Sequence, residues 1–170
     1  RAPAERWVLK SPGHLWALEH LLAVYPDARI VQTHRDPVKV LASVVSLCAV
    51  LRGLGSDDVD PVQIGASWAP RLAEGLARTM RVRDSGALPA ERVFDVSFAE
   101  FLRDEVAMVR RLYEHFGQGL SPDAEARMRR YLADNGSEKH GGHRYDLALG
   151  ALDEATERRR FAVYQERYGG

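Results

Sequence analysis

Two short clusters carry the residues best suited to chemistry: Lys10-Ser11-Pro12-Gly13-His14, and Arg35-Asp36-Pro37, the latter followed by Ser43 eight residues after Arg35. A guanidinium can grip a phosphate with two parallel N–H donors, and a helix opening after Pro37 can offer free backbone N–H groups. A hydroxyl two turns further along that helix adds another donor. Together these groups make a cradle for an oxyanion. Spacing leaves a plainer alternative open, in which Arg35 pairs with Asp36 or Glu19 and Ser43 only occupies a place too small for a larger side chain.

The surrounding pattern supplies the elements that must position these groups. Trp7-Val8-Leu9 is a short apolar run stopped by Pro12 and Gly13, which predicts a strand from Arg6 to Leu9 and then a loop. Leu15, Leu18, Leu21, Leu22 and Tyr25 recur at helical spacing until Pro26-Asp27. Ala28 to Thr33 is β-prone, and His34-Arg35-Asp36-Pro37 opens a helix to about Leu51. That helix turns Leu41, Val44, Val45 and Cys48 to a core and Lys39, Ser43 and Ser46 to the other side. Pro61 begins a further helix to Arg83, bent at Pro70, with its arginines facing solvent. Arg92 to Val96 reads as a third strand, followed by helices closed by Gly117 and by Asn135-Gly136. Ser137 to Tyr145 has no periodicity and reads as a loop, and one charged helix runs from Asp153 to Tyr168. Strands alternating with helices mean an α/β fold with a largely parallel sheet, in which ligands bind beyond the carboxyl ends of strands.

Composition excludes several functions. The 170 residues carry 24 Lys and Arg against 24 Asp and Glu, so no global field exists to hold nucleic acid, and any anion must be caught locally. The one cysteine, Cys48, excludes an intramolecular disulfide and reads as a buried thiol. No apolar run reaches the roughly 20 residues that span a bilayer, and no signal-peptide pattern is present, which leads to the expectation of a cytoplasmic chain. No metal-ligand spacing occurs; His140 and His143 lack a third ligand. Trp7, Trp16 and Trp68 read as core or interface aromatics, His20 and His115 as helix-surface residues, and the arginines of 127–130 and 158–160 as solvated helix faces. No G-x-x-x-x-G-K-[ST] or G-x-G-x-x-G occurs, and a strand begins almost at once with no start methionine, so the expectation is a fragment whose phosphate loop lies upstream.

The run W-V-L-K-S-P-G-H, then Y-P-D-A-R-I-V-Q-T-H-R-D-P-V-K-V and L-A-S-V-V-S-L, resembles the sulfotransferases that use 3′-phosphoadenosine 5′-phosphosulfate (PAPS), in particular their bacterial branch. The resemblance implies a P-loop-NTPase-like sulfotransferase fold, a short parallel sheet flanked by helices. Residues 1–170 would form the C-terminal part of a single such domain. It also implies that Arg35 and Ser43 bind the 3′-phosphate of the donor, and that Lys10 stabilises the bridging oxygen beside the sulfuryl group. His14 carries over as a candidate base at a different spacing: cytosolic members place that His two residues after the Lys, whereas His14 lies four after Lys10 and Pro12 occupies the aligned place. In some branches the base is a Glu upstream. V-F-D-V-S-F-A-E-F-L-R-D-E-V resembles the family's strand and turn beside the adenine, with Phe98 in place of its Tyr. Lys139 to Tyr145 resembles the basic Gly-containing loop over the 3′-phosphate, which makes Lys139 and Gly141 candidates.

What the resemblance implies is PAPS as donor, no metal, and a small-molecule or glycan acceptor. The family's 5′-phosphosulfate loop is absent from these residues, so association with that N-terminal portion, or a homo-oligomer, is expected. A nucleotide kinase-like P-loop phosphotransferase and a noncatalytic sulfotransferase-like binding module are the rival readings. Pro61 to Met80 either covers the acceptor or forms a partner interface.

Overall fold

The structure is a computed structural model that describes residues 7–136 and 146–169. Its helices are α1 (His14–Val24), α2 (Pro37–Gly53), α3 (Pro61–Asp84), α4 (Phe98–Phe101), α5 (Glu105–His115), α6 (Pro122–Asp134), α7 (Glu154–Arg160) and α8 (Ala162–Tyr168). Its strands are β1 (Ile30–His34) and β2 (Val93–Ser97), and short 3₁₀ turns lie at Ala90–Arg92 and Leu147–Gly150. The α/β class and the parallel pairing are as the sequence implies. β1 and β2 pair in parallel from Ile30↔Val93 to His34↔Ser97, so both strands end at the same edge.

Local chemistry explains where the helices start. Asp36, Asp60, Ser97, Asp104, Ser121 and Asp153 each accept a hydrogen bond from a backbone N–H of the first turn, satisfying donors that have no partner inside the helix. Pro37, Pro61 and Pro122 sit in that same turn, where a missing N–H costs nothing. Gly117 ends α5 with φ 63, a left-handed turn that a side chain would strain.

The core has three parts. Leu41 and Val45 of α2, Ile64 and Leu72 of α3, Phe161 and Tyr164 form the first. Leu18 and Leu22 of α1 pack on Val82, Leu88 and Val93 in the second, and Phe94 and Val96 meet Met108 in the third. Helix α3 buries a long stripe that includes Ile64, Ala69, Leu72, Leu76 and Val82, against α1 and α2. The segment expected to cover the acceptor site or form a partner interface is a helix that buries one face in the core. Two glycines permit its close contacts: a Cβ at Gly75 would lie 2.7 Å from the Trp16 ring, and one at Gly65 would lie 2.9 Å from the Gly150 carbonyl oxygen.

Four local expectations are corrected. Residues 7–10 form no strand; Trp7 and Val8 are exposed, and a strand needs a neighbour to complete its ladder. The C-terminal helix is two helices, broken at Phe161 (φ −100, ψ 6), whose ring turns into the core instead of continuing the charged face. Not all arginines of α3 face solvent, because Arg83 turns inward to a carboxylate of β2. Cys48 is half-buried at the margin of the first core cluster.

Candidate active site

Parallel register places the two strand ends side by side, so the residue after each one projects from the same edge. These residues are Arg35, after His34, and Phe98, after Ser97. The Arg35 guanidinium carbon lies 4.8 Å from the centre of the Phe98 ring, a cation–π distance. Among the described residues, Arg35 has no hydrogen bond or ion pair. The two carboxylates that the sequence offers it are occupied elsewhere: Asp36 receives Arg158 at 3.1 Å, and Glu19 receives Arg78. The plainer alternative, in which Arg35 pairs with Asp36 or Glu19, does not hold. What remains is a half-buried cation, stacked on a ring, at the carboxyl edge of a parallel sheet.

Helix α2 leaves that edge with Pro37, Val38, Leu41, Ala42 and Val45 buried. Ser43 lies off that buried stripe, six residues or roughly 9 Å along the axis from Pro37, on the face shared with Asp36 and Lys39. Its side chain is half-buried and Lys39 is exposed. Lys10 is exposed just before the loop, and His14 is the half-buried first residue of α1. The loop is held by Ser11, whose hydroxyl accepts from Gly13 N–H at 3.1 Å and whose carbonyl accepts from His14 N–H at 3.3 Å. Arg35 and Phe98 are thus brought together directly. No hydrogen bond or ring contact joins Lys10 or His14 to them among the described residues. Lys139 and Gly141 lie outside the described residues.

Beneath this edge is a network that sequence reasoning did not single out. His34 is buried, and its Nδ1 lies 2.7 Å from the Tyr164 hydroxyl and its Nε2 2.6 Å from Asp95 Oδ1. Its ring stacks on Tyr168 at 4.2 Å between centroids. Arg83 grips both Asp95 oxygens, at 2.6 and 2.7 Å, and also donates to Gln32 Oε1. Side chains alternate along a strand, so Gln32 and His34 share a face of β1, and the register sets Asp95 opposite Gln32. The only local signal was polar residues inside two apolar strands; their convergence depends on the register and on α8.

Burial pushes the Asp95 carboxyl up, but the hydrogen bonds from His34 and Arg83 and the Arg83 charge outweigh it and hold it well below the ordinary carboxylate range. A depressed carboxyl contributes stability above its unfolded value of 3.8, lost progressively as pH falls below it. The contribution is reduced by water, since the Asp95 side chain is 40% exposed. Asp95→Asn is therefore expected to lower the urea midpoint at pH 7, with the gap to the parent narrowing at pH 3; parallel curves would contradict the assignment.

Among the described residues, no group of three or more His, Cys, Asp and Glu is placed to hold a metal ion, and no helix is long and apolar enough to cross a membrane.

The chain is 27% identical over 150 residues to the omega-hydroxy-beta-dihydromenaquinone-9 sulfotransferase Stf3 of Mycobacterium bovis, covering 85% of this chain and 37% of that protein. Its fold is similar to the crystal structure of sulfotransferase STF9 from Mycobacterium avium, with a TM-score of 0.85 and 30% identity over 95% of this chain and 41% of the other. Sulfotransferase STF1 from Mycobacterium tuberculosis H37Rv has a TM-score of 0.74 and 35% identity over 93% of this chain and 40% of its own. The chain thus spans about two-fifths of the length of these relatives. A model of the sulfotransferase family matches residues 1–122, well over half of the chain and all of the segment from Lys10 through Phe98, and the chain therefore belongs to the sulfotransferase family.

Proposed function

We propose that this chain forms the nucleotide side of a PAPS-dependent sulfotransferase active site. Arg35 and Ser43 hold the donor's 3′-phosphate, and Phe98 flanks the adenine. The observation that carries this reading is the Arg35 guanidinium, stacked 4.8 Å from Phe98 and without a carboxylate partner among the described residues. A charged group left so is available to an external anion, and a guanidinium suits a phosphate better than an ammonium does.

In the reaction, an acceptor hydroxyl or amine attacks the sulfur as the sulfur–oxygen bond to the 5′-phosphate breaks. The sulfuryl group moves to the acceptor, and the bonding pair stays on the phosphate oxygen. Positioning and electrostatic stabilisation supply most of the catalysis in transfers of this type. Lys10 offsets the charge on the departing phosphate, and the acceptor's proton goes to His14 or to a carboxylate supplied from elsewhere in the protein. The 5′-phosphosulfate loop is likewise supplied from outside this chain. The relative named for an omega-hydroxy compound favours a hydroxyl acceptor.

Calorimetric titration of the protein that carries this chain tests the reading. 3′-Phosphoadenosine 5′-phosphate is expected to bind at least tenfold more tightly than adenosine 5′-phosphate, which lacks the 3′-phosphate. Equal affinities would refute the assignment.

A further inference from the structure

Arg35 itself has no ion pair among the described residues, yet both of its chain neighbours are tightly held, His34 by α8 and Asp36 by α7 and α8. His34 meets the hydroxyl of Tyr164 from α8 at 2.7 Å. Asp36 is gripped through both oxygens by Arg158 of α7, at 3.3 and 3.1 Å, and receives Gln165 of α8 at 3.4 Å, while its Oδ1 also caps α2 through Val38 N–H. The Asp36 side chain is only 14% exposed and that of His34 only 3%. Contacts from more than 120 residues downstream thus converge on the two positions that flank the donor arginine. They lie beyond residue 122, where the family match ends.

We infer that α7 and α8 form a clamp that aims Arg35, with Tyr164 and Arg158 as positioning residues for its 3′-phosphate contact; this rests on the reading of Arg35 given above. A long arginine side chain gives up substantial rotamer freedom when it grips a ligand. Fixing the backbone on both sides and stacking the guanidinium on Phe98 removes part of that cost before the ligand arrives. The proton arrangement at His34 suits this role. Asp95 is an ionised, acceptor-only carboxylate, so Nε2 must carry the hydrogen that is donated to it, and Nδ1 is left facing the Tyr164 hydroxyl. Burial pushes the Tyr164 hydroxyl's pKa up, assisted by Tyr168 and Asp95, so it keeps its proton at neutral pH. Arg83 secures the far side of Asp95. The chain of contacts therefore runs from α3 through β2 and β1 to α8 and ends beside Arg35.

The test is a double-mutant cycle read by titration with 3′-phosphoadenosine 5′-phosphate and with adenosine 5′-phosphate, on the protein that carries this chain. Tyr164→Phe keeps the buried ring and removes only the hydroxyl. It is expected to weaken binding of the 3′-phosphorylated ligand about tenfold, to leave adenosine 5′-phosphate binding unchanged, and to have no further effect once Arg35 is alanine. Arg158→Gln should show the same pattern, at about threefold; its side chain is 41% exposed, so it carries the test if Tyr164→Phe fails to fold. Unchanged affinity in both variants, or an equal loss in the Arg35→Ala background, overturns the clamp and leaves the donor reading standing. If Arg35→Ala alone leaves the 3′-phosphorylated ligand's affinity intact, the donor reading falls, and the clamp falls with it.

Discussion

Replacing Arg35 with alanine is expected to weaken binding of 3′-phosphoadenosine 5′-phosphate about a hundredfold while leaving adenosine 5′-phosphate affinity nearly unchanged. A charge-assisted hydrogen bond contributes about 1.5–3 kcal/mol, and a two-pronged contact loses both of its bonds when the guanidinium is removed. Arg35 is half-buried and shared with solvent, so a total near 3 kcal/mol is the appropriate scale, a little over a hundredfold in affinity. Lysine in its place keeps the charge but loses the fork and the planar stack on Phe98 seen at 4.8 Å. Arg35→Lys should therefore fall between, at about a tenfold loss. A calorimetric titration that finds both variants equal to the parent would show that the guanidinium faces no phosphate.

Phe161→Ala is expected to cost about 3–5 kcal/mol of unfolding free energy, the range for deleting a large ring from a packed interior. Phe161 is 2% exposed, sits at the break between α7 and α8, and packs in the cluster that contains Leu41, Ile64 and Leu72. Against a total stability of about 5–15 kcal/mol the loss is large, and it should lower the melting temperature by about 10 °C in a chain of this size. Because the same helices carry Arg158, Tyr164 and Gln165 to the residues flanking Arg35, the variant that still folds should, on the proposed function, also bind the 3′-phosphorylated nucleotide less tightly. A loss below about 1 kcal/mol in urea unfolding would mean that α7 and α8 repack freely and do not form a rigid support.

Helix starts were legible in the residues because capping is local: an Asp or Ser, a Pro in the first turn and an apolar period lie within a few positions of one another. That held for Asp36-Pro37 and for Pro61, where α2 and α3 begin. The α/β class followed from the same kind of signal. Trp7 to Leu9 failed as a strand because strand propensity describes a fit to a neighbour, and these three residues have no ladder partner among the described ones. Phe161 failed as part of one long helix because charge pattern alone does not reveal that its ring is drawn into a core assembled from α2 and α3.

The candidate site divides in the same way. From sequence alone came the types and local spacing of Arg35, Asp36, Pro37 and Ser43, which follow from one strand end and one helix start, and the family resemblance that gave them a role. Whether Arg35 was free for an anion could not be decided there, since Asp36 adjoins it and Glu19 is 16 residues away. Tertiary structure decided the partners of those two carboxylates, bringing Arg78 to Glu19 and Arg158 to Asp36, and it set β1 and β2 in a register that puts Phe98 beside Arg35. The physical reason is range: capping and periodicity act over a few residues, whereas the partner of a charge is chosen by whatever the fold packs against it.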